Sequence, residues 1–408
     1  MITAYLCAPL ERREVPRVRY EQVKYKNMKI LVSTFLSLLV IGCNQTGSKK
    51  TQKSFLSPVT IDKIAKNLLN DTLINALSIG IYYKEDTLTR HYGELDKLEN
   101  NIPSNETIYE IASVTKTFVG VLIAQAEMEG KLSLEDDIRK YLVAKYENLE
   151  YNGNPIRIRH LLTHTSELPK FLPESINELF NEVNDDLPFR IAEVENNYSK
   201  SKFLEDLKKV IIDSIPGTRF SYSNADTELA AFILEKVYDK PFDSILEEKI
   251  CSPFMMPNTK INLSESQKIR LANGYCKNGI KAPHMSTKLW GASGAGKSTI
   301  PDLINYMKFQ LDESNEVIHK THQTLYNNEI IYGDPNNELG YFWILNKDED
   351  FGKSISHHGG AFGTQNWLIL YPKENFGITI ISNQGDWQTA GKLLNVVNNI
   401  LVEIKKSA

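Results

Sequence analysis

The stretch from Phe118 to Ala126 carries no charge and is apolar on nearly every face, so as a helix it has to be buried on all sides. A chain with such a helix needs a core large enough to surround it, and 408 residues provide for one large core or two modest ones. At the head of the run stands Ile111-Ala112-Ser113-Val114-Thr115-Lys116. The i, i+3 spacing sets Ser113 and Lys116 one turn apart on the same helix face. A hydroxyl beside an amine able to take its proton is the minimum set for nucleophilic catalysis. S-x-x-K also recurs by chance, and the alternative is a helix that merely carries a serine and a lysine. The rest of the chain decides between them.

Composition narrows the field modestly. Hydrophobic residues make up 41% and charged residues 24%, ordinary for a globular protein. A formal net charge of -4 offers no basic field, which argues against a nucleic-acid partner. The N-terminal region is more specific. Met28-Lys29 opens an apolar run, Ile30 to Ile41, closed by Gly42-Cys43. About 12 residues is too short for the roughly 20 that span a bilayer, but it fits an export signal. The ending Leu39-Val40-Ile41-Gly42-Cys43 resembles a bacterial lipoprotein signal. That resemblance implies lipidation of Cys43, an exported chain, and a membrane partner reached through the lipid. A buried helix ending in a free thiol is the alternative. Residues 1–27 read as an upstream extension, and the polar 44–57 as a flexible tether. Cys251 and Cys276 are too few for a disulfide framework, and whether they pair is open. No metal-ligand cluster or cofactor motif stands out.

Apolar spacing predicts a helix from Ile61 and strands at Leu77–Tyr83 and about Leu88–Tyr92. Gly130 should stop the Ser113 helix, and Ser133-Leu134-Glu135-Asp136 reads as a fresh capping box. Residues 131–290 read as mostly helical, with Leu229, Phe232, Ile233 and Val237 at helical spacing. The segment Glu174–Lys202, rich in Asn, Asp and Glu, reads better as solvated surface than as part of a site. Strands return at Tyr341–Leu345, Trp367–Tyr371 and Phe376–Ile380, followed by a helix from Gln388 to Ile404. The layout is α+β: an antiparallel sheet built from both chain ends (58–130 and 291–408), flanked by N- and C-terminal helices, plus a mostly helical part at 131–290.

Three further signals line up with Ser113 and Lys116. They are Tyr222-Ser223-Asn224, His357-His358-Gly359-Gly360 between strands, and Ile158 to Ser166 around His160 and His164. Taken in order, Ser113–Lys116, Tyr222–Asn224 and His357–Gly359 resemble the three motifs of serine β-lactamases and penicillin-recognising DD-peptidases. The likeness is to the branch with class C β-lactamases, D-alanyl-D-alanine carboxypeptidases and related esterases. It covers about residues 60 to 400, with Leu161–Ser166, Phe220–Asn224 and Lys249–Thr259 as similar connecting text.

The resemblance implies a serine hydrolase fold and roles for these residues. Ser113 would attack a carbonyl and form an acyl-enzyme. Bringing a lysine from its reference pKa of about 10.4 to about 7 takes roughly 4–5 kcal/mol of desolvation and repulsion. A tyrosine base faces a similar cost, so the base is assigned to the pair Lys116 and Tyr222. Asn224 would orient Lys116 or a substrate amide, or else cap the following helix. The oxyanion hole would be the N–H of Ser113 with that of Gly360, and Gly359 and Gly360 would let substrate approach the backbone. His357 stands where many relatives carry lysine. A mostly neutral histidine favours esters, amides or other uncharged acyl groups over carboxylate-bearing β-lactams and D-alanine peptides. Protonation by a nearby acid would restore the lysine-like role. β-Lactamase or D-alanyl-D-alanine carboxypeptidase activity, and a non-catalytic penicillin-binding lipoprotein, are the alternatives. His358 reads as a spacer and His164 as a hydrogen-bonded structural residue. Gly291 to Ser298 spells a P-loop, G-x-x-x-x-G-K-S, but Lys281 to Lys288 upstream is no buried strand, so a nucleotide partner is rejected. The partner expected is a small-molecule or peptide acyl substrate.

Overall fold

The computed structural model describes residues 58–182 and 184–407. Cys43, the apolar run before it and the tether at 44–57 lie outside these residues. Seven strands form one antiparallel sheet in the order β2 (Asp86–Gly93), β1 (Ala76–Tyr83), β11 (Phe376–Ser382), β10 (Gln365–Tyr371), β9 (Gly352–Gly360), β8 (Trp343–Asp348) and β7 (Glu338–Gly340). The sheet is thus assembled from both ends of the chain, with Ile79 of β1 opposite Ile380 of β11. β3 (Tyr109–Glu110) pairs with β6 (Lys297–Ser298), and β4 (Glu150–Tyr151) with β5 (Asn154–Pro155).

Period-two alternation decides what each sheet face meets. Leu77, Ile79 and Ile81 join Ile378 and Ile380 under two helices from opposite chain ends, α1 (Pro58–Leu69) and α12 (Gln388–Ser407). Tyr82 and Ile381 point the other way, into the larger core with α2 (Thr115–Met128) and α10 (Ile300–Leu311). Because both faces are covered, β1 is buried at every position. α2 is buried from Thr115 through Ala124, as its uncharged sequence requires. Gly120 lets it press onto the chain at Tyr341, where a Cβ would sit 2.1 Å from the carbonyl oxygen.

Among the described residues, seven α-helices fill the middle of the chain: α3 (Ile158–Leu162), α4 (Glu174–Leu179), α5 (Leu187–Asn196), α6 (Lys200–Leu207), α7 (Asn224–Tyr238), α8 (Phe242–Leu246) and α9 (Glu265–Lys268). α11 (Glu316–Thr321) follows α10.

Several local expectations need correction. Ser133 to Asp136 forms a hydrogen-bonded turn rather than a helix start, with Ser133 N donating to Asp136 Oδ2. Tyr341 and Phe342 hold φ of 49° and 68°, which no strand accommodates, so β8 begins at Trp343. β9 was not foreseen: Lys353-Ser354-Ile355-Ser356-His357-His358-Gly359-Gly360 has few β-formers, and neighbours on both sides impose the strand. The histidine motif therefore lies on a strand, not between strands. Cys251 and Cys276 are both buried, free thiols.

Candidate active site

Ser113 occupies a single 3-10 turn, Ala112–Val114, that leads into α2. Ala112 is held at φ 46°, a left-handed conformation costing a non-glycine residue about 1–3 kcal/mol. The strained turn presents the Ser113 hydroxyl to a cavity of about 450 Å³. One turn on, Lys116 is fully buried. Its Nζ lies 3.1 Å from Ser113 Oγ and 2.8 Å from Asn224 Oδ1, and it also donates to the Ser293 carbonyl. Tyr222 OH lies 2.9 Å from Ser113 Oγ on the other side. The spacing that put Ser113 and Lys116 on one face thus gathers Tyr222 and Asn224 from more than 100 residues away.

α7 explains how the second motif is aimed. Ser223, not Asn224, is the N-cap, its Oγ accepting from Asp226 N at 3.2 Å. Asn224 is thereby released from capping and turned to Lys116. His164 backs the Tyr222 ring at 4.4 Å between centroids, with Nδ1 3.0 Å from Asp226 Oδ2. Burial, then the charge of Lys116, holds His164 well below the ordinary imidazole range.

β9 supplies the third wall. Gly359 packs so closely that a Cβ would fall 2.3 Å from the Ile111 carbonyl oxygen and 2.5 Å from Asn366 Nδ2. Asn366 Nδ2 donates to both Gly359 O (3.0 Å) and Ile111 O (3.2 Å), tying the strand to the residue before the Ser113 turn. Gly359 is therefore small to meet protein backbone, while Gly360 lines the cavity with Ser113.

His357 is buried away from the cavity lining. Its Nδ1 donates to His358 O at 2.7 Å, and burial followed by the nearby Lys116 charge pushes its pKa down to about 3. Among the described residues no acid bears on it, so it is a neutral imidazole at physiological pH. His358, expected as a spacer, lines the cavity and contacts Gln365 Oε1 through Nε2 at 2.8 Å.

The acid-rich segment read as solvated surface also forms part of the wall: α5 contributes Leu187, Ile191 and Glu195 beside Phe171, Phe180 and Trp290. The P-loop letters have a different use. Ser293 O receives Lys116, and Lys297 Nζ is buried against the carbonyls of Ala295 (2.8 Å) and Ile261 (3.2 Å). Such a lysine faces no phosphate.

A profile described as Beta-lactamase matches residues 61–400. Protein flp of Staphylococcus aureus strain N315 is 28% identical over 362 residues, covering 85% of this chain and 67% of that protein. In strain MRSA252 the chain spans 61% of the flp length. A beta-lactamase of Providencia stuartii is 24% identical over 387 residues, covering 86% and 92%. A solved beta-lactamase/D-alanine carboxypeptidase from Yersinia pestis, crystallised with citrate, has the same fold with a TM-score of 0.71. It is 21% identical and covers 85% of this chain and 97% of its own. A counterpart from Pseudomonas syringae gives 0.68 at 17% identity, covering 83% and 98%. The antiparallel sheet, the helical second part and the span of the family match lead to one conclusion: the chain belongs to the beta-lactamase family of serine hydrolases.

Proposed function

We propose that the chain hydrolyses an ester or amide with an uncharged group at the β9 wall, through an acyl-enzyme on Ser113. The observation that carries this reading is the set of acceptors around Lys116. Asn224 Oδ1 and Ser293 O each accept one N–H, and neither can donate in return. A neutral amine so held directs its lone pair at Ser113 Oγ, 3.1 Å away, and an ammonium directs its third N–H there. Both protonation states fit, so a proton can move between Ser113 and Lys116 without rearrangement.

Attack by Ser113 Oγ forms the bond to carbon while the hydroxyl proton passes to Lys116. The carbonyl electron pair moves onto oxygen, where the N–H groups of Ser113 and Gly360 would receive it. Collapse expels the alcohol or amine, which takes a proton relayed through Tyr222 from Lys116. Water then repeats the sequence on the acyl-enzyme, losing its proton to the same pair. His357, neutral and outside the cavity lining, gives no cation for a substrate carboxylate. This supports esters and amides over carboxylate-bearing β-lactams.

The test compares wild type with Ser113→Ala on p-nitrophenyl esters and on nitrocefin. Ester turnover reduced at least about a thousandfold in the variant, with little nitrocefin cleavage in either, is expected. Equal ester turnover by both proteins refutes the proposal.

The sequence at Met28 to Cys43 further supports an exported chain anchored by lipid on Cys43. Mass spectrometry of the membrane fraction should find a diacylated N-terminal Cys43. A mature chain retaining residues 28–42 would overturn the anchor.

A further inference from the structure

Three carboxyl groups stand behind one side of the cavity, all fastened by the segment 285–293. Met285 N donates to Glu110 Oε1 at 2.7 Å, Ser286 N to Glu195, and Ser293 N to Glu228 Oε1 at 2.7 Å. Glu110 and Glu228 have further partners: His284 Nδ1 is 3.5 Å from Glu110 Oε2, and the Ser293 hydroxyl and Ala292 N–H reach Glu228. Glu195 differs. Near the end of α5, it is 1% exposed, lines the cavity that holds Ser113, and leaves Oε2 without a hydrogen-bond partner among the described residues. A buried acceptor left open is unfavourable, and a donor on a ligand would recover what it loses.

The charge around Glu195 selects the donor. The charged groups bearing on it are Glu110 of β3 and Glu228 of α7, both acidic. Burial first, then these two, raises its pKa to about 8. Two lysines, Lys170 and Lys277, line the cavity as well, and Lys170 lies over the rings of Phe171 and Phe180 at 5.8 and 5.6 Å. An incoming ammonium group would supply N–H donors to Oε2 and relieve the repulsion among three carboxyls. The alkyl chain behind it would lie along Leu187, Ile191 and Trp290.

We propose that Glu195 Oε2 anchors a protonated amine on the acyl donor, so that the substrates are esters or amides whose acyl group carries an ammonium at its far end. This rests on the Ser113 acyl-enzyme reading and deepens it. It also complements the neutral His357, since such a substrate needs a carboxylate in the enzyme and no cation.

The experiment compares p-nitrophenyl 6-aminohexanoate with p-nitrophenyl heptanoate, in which a methyl replaces the ammonium. With spontaneous hydrolysis subtracted, kcat/KM should favour the amino ester by about tenfold at pH 8.5, and Glu195→Gln should bring the ratio close to one. A wild-type ratio near one, or a ratio that Glu195→Gln preserves, overturns the proposal. If the variant does not fold, the wild-type pH profile decides. The ratio should climb between pH 7 and 9 as Glu195 releases its proton, because the amine stays charged across that window (reference pKa about 10.4). A flat ratio overturns it. If neither ester shows Ser113-dependent turnover, the acyl-enzyme reading has failed, and amine binding is then read on Ser113→Ala by thermal shift. Stabilisation by hexylammonium beyond that by 1-hexanol supports the anchor, and equal shifts refute it.

Discussion

Lys116 has no room to be anything but a proton carrier or a buried cost. It is fully buried, and its amine nitrogen is met by Ser113, Asn224 and Ser293. Lys116→Met keeps the length of the side chain and removes the amine. It should lower kcat/KM for an ester by about a thousandfold or more while the thermal midpoint falls little or rises, because a buried charge is replaced by an apolar chain. Measuring ester turnover and thermal melting on the same preparation checks both parts. Tyr222→Phe removes only the oxygen 2.9 Å from Ser113 Oγ, and should reduce kcat by about a hundredfold with KM near its starting value. At this scale the sequence was most informative where the chemistry is local. Ser113 and Lys116 are three residues apart, so helix geometry alone put them together. Ser293 contributes a backbone carbonyl, which every residue has, and Asn366 is one asparagine among many. Neither carries a signal until the fold sets it beside Ile111 or Lys116.

At the level of elements, the Ser113 turn depends on what holds β9 against it. Asn366 bridges Gly359 O and Ile111 O and touches no reacting atom, so it is a positioning residue. Asn366→Leu should lower kcat by about tenfold with a smaller change in KM, and Asn366→Gln should recover part of the loss. A variant with unchanged kcat would show that the strand needs no tie. α3 offers a pH-dependent case. His160 Nδ1 accepts from Arg157 N at 3.1 Å, which requires the neutral ring. Burial, then the charges of Arg159 and Arg157, depresses its pKa to about 4. The unfolded chain, with a reference near 6.5, binds the proton first. Stability is therefore complete above about pH 6.5 and drains away as pH falls toward 4. His160→Gln retains an acceptor for Arg157 N and does not titrate, so relative to wild type it should gain about 1–2 kcal/mol between pH 8 and pH 5. Denaturant melts at the two pH values check the sign. Strands with alternating apolar residues, such as β1 and β11, were readable in advance. β9 was not, since its two histidines and two glycines fit a loop equally well and its identity comes from the neighbours that pair with it.

For the whole molecule, the decisive fact is that a sheet, its two covering helices and the strand that lines the cavity with Ser113 are drawn from both ends of one chain. The expectation of an α+β layout with an antiparallel sheet was legible from the order of strand-like and helix-like stretches. Lost from that view was the role of the middle: α5 wraps Leu187, Ile191 and Glu195 onto the cavity, although its polar composition resembles a solvated face. Burial there is tertiary, and no local period announces it. The cover formed by α1 and α12 has a measurable worth. Ile61→Asp places a charge among Leu77, Ile79 and Ile400, and should lower stability by more than about 3 kcal/mol, read as a lower denaturant midpoint.

The pairing of β1 with β11 also sets an order in time. Ile79 and its partner Ile380 are separated by about 300 residues of sequence. At about 5–20 residues per second, a ribosome needs roughly 15–60 s to deliver the second after the first. Throughout that interval β1 lacks one of its two neighbours, and from residue 113 until residue 360 Ser113 stands without the β9 wall that completes its cavity. A chain stopped anywhere between about residues 116 and 380 therefore contains the serine and lysine pair together with an open sheet edge. Hydrolytic competence arrives only with the last strands, so truncated products should be silent catalytically and prone to aggregate.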